Sequence, residues 1–496
     1  MLFNSLIFLY LFLPLTLFFV YISTEKLRNT FILIASWVFY AWGGISFIGV
    51  LFGSILLNYL AGLAIDRARG EAARKRMFVT GVVLNLLLLG FFKYALFFID
   101  NVNALTSLFG VTPIVMQHIF LPLGISFFTF KAITYLIGVK RREVEVQKRF
   151  FDLALYISIF PQLIAGPIDR YRNLLPQLHG RKLSFELFSS GVQRFVMGLF
   201  KKVIISSPLA YVADQAFNSP SESLGFPLAW LGAVCFTLQI YYDFSGYTDM
   251  AIGVGRMLGF QFMENFNFPY LSRSVREFWN RWHISLSTWL RDYLFLPIAF
   301  ATSRNLKKER YLGIRVNHII YILATLITFV LCGFWHGAAW NFVIWGLIHG
   351  IMLSIERGRF GKWLNHGGSW FGHLYLPVFV VVTLVFFRTS TLEKAFSFIG
   401  SMFGLLGKNA DWERLLEFIN PGFILIFCLA LAGCTPVFET MLGWLRKGMD
   451  SPQRILNRLS FNVYHLGLIL FLLFTLALST LTIIAGTNAS FIYFRF

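Results

Sequence analysis

The sequence predicts an all-α polytopic membrane protein, and three observations carry that prediction. Only 14% of its 496 residues are charged and 57% are hydrophobic, where a soluble domain carries about 25% charged residues. Mean hydropathy is +0.67, and apolar runs near the roughly 20 residues that cross a bilayer recur along the chain. Basic residues gather in short loops between those runs, so the net charge of +19 reads as cytoplasmic loops rather than as a nucleic-acid surface. About 11–13 membrane helices are expected, counting short and re-entrant ones.

The elements follow in order from charge. Residues 1–23 have no basic leader and no small-residue cleavage site; the first charges, Glu25, Lys26 and Arg28, come after the apolar run. This predicts a retained first span with its N-terminus outside. Residues 30–65 form two short apolar runs hinged near Gly43–Gly44, returning to a basic stretch at 67–76. Residues 77–99 cross outward, 118–139 cross back, and 140–149 are basic again, so all three basic clusters share one side. The segment "ISIFPQLIAGPIDRYRNLLPQL" (157–178) has Pro and Gly inside an apolar run. It predicts a broken or re-entrant helix covered by protein. Residues 185–217 read as helical although Lys201 and Lys202 interrupt them. Spans are expected at 318–335, 341–355, 372–388, 418–438 and 462–484. Cys235, Cys332, Cys428 and Cys434 lie in apolar surroundings without a CxxC pair and are expected to be small buried hydrophobes.

Two histidines draw the chemistry. In "VREFWNRWHISLSTWLRDYLFL" (275–296), a helical turn of about 100° per residue puts Trp279, Trp282, Leu286, Trp289 and Tyr293 on one face. Arg276, Asn280, His283, Ser287 and Arg291 then share the adjoining face. An interfacial anchor would account for the aromatic residues; the narrow polar stripe also suits an anionic or polar ligand under an aromatic wall. The second histidine is in "GFWHGAAW" (333–340). The apolar run begins near Ile319, and His336 lies about 25 Å along a straight helix from there, within a hydrocarbon core of about 30 Å. A return limb at 341–355 leads to Glu356, Arg357, Arg359 and Lys362. His336 is therefore expected at the turn of a hairpin, deep and approachable from the outer side.

An ionisable group at such depth is costly and usually functional, the alternative being a structural histidine bonded to a carbonyl. Its ordinary pKa of about 6.5 leaves imidazole neutral at pH 7 and able to accept a proton. As a general base it would contribute roughly 10²–10⁴-fold. Gly333 and Gly337 are expected to let a substrate approach the backbone. His349 would lie about 140° from His336 on a continuous helix and is read as facing elsewhere. Asp243 and Asp249, in "YYDFSGYTDMAIG" (241–253), would each cost about 2.5–3.5 kcal/mol facing lipid. They must face protein, water or a basic partner. There is no nucleophile elbow, P-loop or HExxH motif, and neither a metal site nor a bound cofactor is expected.

The order and spacing of several segments resemble the membrane-bound O-acyltransferase family, in the bacterial branch that includes alginate O-acetyltransferase. They are "ASWVFYAW" (35–42), "LPLGISFFTF" (121–130), "FPQLIAGP" (160–167), "YYDFSGYTDMAIG", "ENFNFPY" (264–270), "FWNRWHISLSTWLRDYLF" (278–295), "FWHGAAWN" (334–341) and "FIYFRF" (491–496). The resemblance implies one membrane domain over 1–496, with helices around a central funnel or tunnel and a catalytic core near 118–356. It implies that His336, in the family's WHG motif, is catalytic and that His283 is a second catalytic or positioning group.

On this reading the protein is a membrane O-acyltransferase, an O-acetyltransferase first of all, in the bacterial cytoplasmic (inner) membrane. It would pass an acyl group from a cytoplasmic thioester such as acetyl-CoA towards an extracytoplasmic polysaccharide or a secreted or periplasmic acyltransferase partner. Trp282, Ser287, Arg281, Arg291, Trp335 and Asp249 are candidates to contact substrate, and Asn341 to donate to the oxyanion. The alternatives are D-alanyl transfer from a carrier protein to teichoic acid, a transporter or flippase with a buried His/Asp site, and a scaffold for polysaccharide secretion.

Overall fold

A computed structural model describes residues 1–311, 313–366, 369–406, 412–449 and 454–486. The described chain is helical apart from one short antiparallel pair, Arg310–Tyr311 with Ile314–Arg315. Among the described residues six helices are long and apolar enough to cross a membrane: Ser46–Arg67, Glu71–Ser107, Phe185–Asn218, Val316–His336, Trp370–Arg388 and His465–Ile484. Trp412–Phe418 and Pro421–Gly433, bent by 81°, make a seventh if they form one span, and Phe8–Ile22 and Trp340–Glu356 are shorter apolar helices. The 32-residue helix Phe226–Met257, which carries Asp243, Asp249 and Arg256, is not among them. The closing "FIYFRF" lies outside the described residues.

The chain forms two compact units, residues 1–195 with 247–263 and residues 196–246 with 264–496. Two of the three boundaries fall within the helices Phe185–Phe200 and Phe226–Met257, and the third follows Met263.

In the first unit the hinge near Gly43–Gly44 is the turn between helices Glu25–Ala41 and Ser46–Arg67. The basic stretch 71–76 is not a loop. It opens a 37-residue helix, Glu71–Ser107, which also absorbs residues 100–107. Its partner helix is held by reciprocal amide bonds, Asn58 Nδ2 to Asn85 Oδ1 at 3.0 Å and Asn85 Nδ2 to Asn58 Oδ1 at 2.9 Å. Such polar pairs join helices where lipid offers no hydrophobic drive. Residues 157–178 are broken as expected, into Phe150–Ser158, Phe160–Leu163 and Tyr171–Gly180. At the break the Phe160 N–H donates to Ser36 Oγ at 3.0 Å. The buried Lys131 ammonium donates to Gln162 Oε1 at 3.0 Å, and Gln162 passes the contact on to Asp169.

In the second unit Lys202 is buried in the π-helical turn Lys201–Ser206, which joins Phe185–Phe200 to Ser207–Asn218. Its ammonium pairs with Asp243 on the Phe226–Met257 helix. A charge that breaks the apolar pattern is thereby neutralised, and the helix continues through it. Cys235, Cys332 and Cys434 are buried, but Cys428 is exposed on Pro421–Gly433. A membrane helix is apolar on its outer face too, so apolar surroundings in sequence do not imply burial.

Candidate functional site

The segment 275–296 is not one helix. Val275–Arg281 starts with Ser274 accepting from Glu277 N–H at 3.1 Å. The Glu356 carboxylate caps it further, accepting from Val275 N–H at 2.7 Å and Arg276 N–H at 3.0 Å. An anion is well placed against the exposed N–H groups of a helix start. The helix stops at Trp282. His283 adopts φ 43° and ψ 53°, and a second short helix, Ile284–Leu290, follows. A non-glycine residue in this left-handed region is strained, and such strain clusters at functional sites. A π-helical turn, Arg291–Phe295, then leads into Leu296–Asn305.

Asn265 holds the kink. Its Oδ1 accepts from Ser285 N–H at 3.1 Å and from Ser285 Oγ at 2.9 Å, and it meets His283 Nδ1 at 3.1 Å. Because the backbone N–H can only donate, that atom is the amide oxygen, and His283 must donate to it from Nδ1. His283 is fully buried, edge-on to Phe244 at 4.8 Å. It lies at the kink, outside the six spans, and burial pushes its imidazole down to about 3.

Two cavities flank this region. The larger, about 410 Å³, is lined by Arg276, Asn280, Ser287 and Arg291 together with Trp279, Tyr321 and Phe329. Four of the five residues of the polar stripe thus share one chamber; the αL break turns His283 away from it. Arg276 Nη2 also donates to Tyr321 Oη at 3.2 Å, and Arg291 Nε pairs with Asp292 at 2.8 Å. The smaller cavity is about 20 Å³ and is lined by His336, Trp282, Phe278, Trp345, His349 and Thr383, among others. It has room for about one water.

His336 ends the Val316–His336 helix, and the chain reverses at 337–339 into Trp340–Glu356. This is the expected hairpin. The His336 ring is buried between Trp335 (centroids 4.8 Å), Trp345 (5.3 Å) and Phe387 (5.1 Å). The glycines do not make room for a substrate. A Cβ on Gly333 would overlap the Phe342 carbonyl, one on Gly346 the Phe329 carbonyl, and one on Gly337 the Phe342 ring. They let the two helices of the hairpin touch through their backbones.

The remaining candidates scatter. Trp282 lines the His336 cavity with its ring stacked on Phe278 at 5.5 Å, whereas His283 is not part of that lining. Trp335 flanks His336. Arg281 lines neither cavity; it pairs with Glu277 at 2.9 Å and donates to Asn267 O at 3.4 Å. Asp249 belongs to the first unit, where Arg194 holds it at 2.6 Å. This is the basic partner its cost in lipid demands. Asn341 is buried and donates both amide hydrogens to carbonyls, of Phe386 at 3.0 Å and of Thr389 at 2.6 Å. Its side-chain amide has no N–H left for an oxyanion.

Sequence reasoning missed His349. The 140° separation assumed a continuous helix, but the reversal at 337–339 folds the return limb back, and His349 lines the same cavity as His336. Both rings pack against Trp345, 5.3 Å from His336 and 4.7 Å from His349.

With this geometry in place, comparison with known proteins is specific. The model of the MBOAT, membrane-bound O-acyltransferase family matches residues 5–387. A "Probable alginate O-acetylase AlgI" of Azotobacter vinelandii is 43% identical over 430 residues, covering 83% of this chain and 79% of that protein. A "Peptidoglycan O-acetyltransferase" of Helicobacter pylori is 34% identical over 463 residues, covering 85% and 83%. A "Teichoic acid D-alanyltransferase" of Bacillus subtilis is 33% identical over 247 residues, covering 49% and 60%.

Proposed function

The chain belongs to the membrane-bound O-acyltransferase family and is a multi-pass membrane acyltransferase, and from that premise we propose that it transfers an acetyl group from a cytoplasmic thioester to an extracytoplasmic polysaccharide. The acceptor receives the group directly or through a secreted or periplasmic partner protein, and the membrane concerned is the bacterial inner membrane. The observation that carries this reading is His336 at the end of a spanning helix, opening on a small aromatic cavity. The relatives that cover more than four-fifths of the chain are named as O-acetyl enzymes, and the D-alanyl relative covers about half. This favours acetyl over D-alanyl transfer. The whole of 1–496 then acts as one catalytic domain with its core near 118–356.

In this mechanism His336 takes the proton of the acceptor hydroxyl as the oxygen attacks the thioester carbonyl. The C–S bond breaks as the tetrahedral intermediate collapses, and the imidazolium returns the proton to the leaving thiolate. Arg276 and Arg291 line the larger cavity, and their guanidinium groups suit the phosphates of a pantetheine-bearing donor. His283, neutral and pinned by Asn265, acts by holding the kink that carries Trp282 into the His336 cavity.

The test is acyl transfer in membrane vesicles supplied with labelled acetyl-CoA. Wild-type protein is expected to place label on polysaccharide or partner, and His336→Ala to lower that rate by at least about 10²-fold at equal insertion. Transfer at the wild-type rate by His336→Ala would refute the mechanism.

A further inference from the structure

We infer that His349 is a second catalytic group in the His336 cavity, a neutral imidazole that donates from Nε2 to the oxyanion, with its tautomer set by Trp279. The inference rests on the acyl-transfer reading of that cavity. Its starting point is a hydrogen bond of fixed polarity: Trp279 Nε1 lies 3.2 Å from His349 Nδ1. An indole N–H donates and cannot accept, so Nδ1 of His349 is the acceptor and the single ring proton sits on Nε2. A doubly protonated ring would have no lone pair for Trp279.

The placement fits the role. His349 is 1% exposed and lines the cavity that holds His336, and both imidazoles pack against the Trp345 ring. Two histidines in one cavity are thus given different tasks. His336 takes a proton, and His349 offers one in a hydrogen bond without giving it up. A neutral imidazole is the better partner for an oxyanion that forms transiently, because it need not transfer a full proton. The tetrahedral intermediate of acyl transfer needs such a donor, and the Asn341 amide has both N–H groups engaged by Phe386 and Thr389.

Trp279 is a positioning residue in this scheme. It is buried, packed edge-on to His349 at 5.6 Å and to Phe329 at 5.0 Å, and it also lines the arginine-bearing cavity. Its helix is capped by Glu356, which sits on the same helix as His349. The indole and the imidazole are therefore held in register by two contacts along one pair of helices.

The chemistry balances without a further reagent. The acceptor oxygen bonds to the thioester carbon, and the carbonyl π electrons move to oxygen, where the His349 Nε2–H meets them. They return as the C–S bond breaks, and the His349 proton stays on nitrogen throughout.

Two measurements on the full-length protein test this. With ¹⁵N-histidine, His349, assigned by its loss in His349→Gln, is expected to show the Nε2–H tautomer in the wild type and a tautomer mixture in Trp279→Phe. A wild-type signal from Nδ1–H or from imidazolium overturns the proposal, whatever reaction the protein catalyses. In kinetics with labelled acetyl-CoA, His349→Leu is expected to lower kcat about 10²–10³-fold with little change in KM. Trp279→Phe should lower kcat about tenfold, with no further loss when added to His349→Leu. Glutamine can accept from Trp279 and donate into the cavity, so His349→Gln should keep at least about a tenth of wild-type kcat. Equal losses in His349→Gln and His349→Leu, or wild-type kcat in His349→Leu, would reduce His349 to packing. If His336→Ala also transfers normally, it is the acyl-transfer reading that has failed.

Discussion

Gly333→Ala puts the hairpin that carries His336 under a measurable strain. The added Cβ overlaps the Phe342 carbonyl, and it lies 3.0 Å from Phe342 C and 3.2 Å from Gly346 Cα. All three are backbone atoms of the return helix, so no rotamer change relieves the clash. The helices must separate by on the order of 1 Å to restore ordinary contact near 3.5 Å. Overpacking of this kind costs about 1–3 kcal/mol. Because His336 is one turn further along the same helix and meets Trp345 at 5.3 Å, the displacement reaches the proposed general base. A misplacement of about 1 Å is worth about 10² in rate. The assay is a graded alanine series scored for thermal stability in detergent and for acyl transfer. Gly333→Ala and Gly346→Ala should be severe. Gly350→Ala should be mild, since its nearest contacts are 3.3 Å away, and Gly53→Ala neutral, since nothing lies within 4 Å. A Gly333→Ala protein with wild-type stability and turnover would refute the argument that the glycines set the helix spacing.

Other outcomes follow from the same contacts. Arg276→Ala and Arg291→Ala should each raise KM for a phosphate-bearing thioester by about tenfold, more at low salt, while Arg281→Ala, outside the cavity, should not; steady-state kinetics at two ionic strengths separates them. Asn341→Leu should destabilise the protein by about 1–3 kcal/mol by leaving the Phe386 and Thr389 carbonyls without their donor, read as a lower melting temperature. His283 gives a pH signature. It stays neutral in the fold down to about 3, whereas the unfolded chain takes up its proton below about 6.5. The unfolded state therefore binds more protons, and falling pH between those values destabilises the fold by about 1.4 kcal/mol per unit. His283→Gln should flatten that slope in stability measured from pH 7 to 5; an unchanged slope would place its origin elsewhere.

Much of the fold and of the site was legible from local pattern. The hairpin at His336 and the gathering of Arg276, Asn280, Ser287 and Arg291 follow from hydrophobic spacing, which acts over one or two helical turns, and the broken segment at 157–178 follows from Pro and Gly within an apolar run. What was misplaced depended on backbone breaks. A single αL residue at His283 removed it from the stripe it was counted in, and the reversal at 337–339 brought His349 into the lining of the His336 cavity. Asn341 was read by its position next to the motif, but its hydrogens are engaged by carbonyls 45 and 48 residues away.

The sequence by itself determined that the chain lives in a membrane, that it is helical, and that an imidazole lies where one apolar helix turns back into the next. Those properties follow from transfer free energy and backbone satisfaction, which each segment meets alone. Only the tertiary structure decided which partner each buried polar group finds. Lys202 finds Asp243 across 41 positions, Arg194 finds Asp249 across 55, and Trp279 sets the tautomer of His349 across 70. In a low-dielectric interior every such group needs a partner, and the identity of that partner is a property of the packed fold.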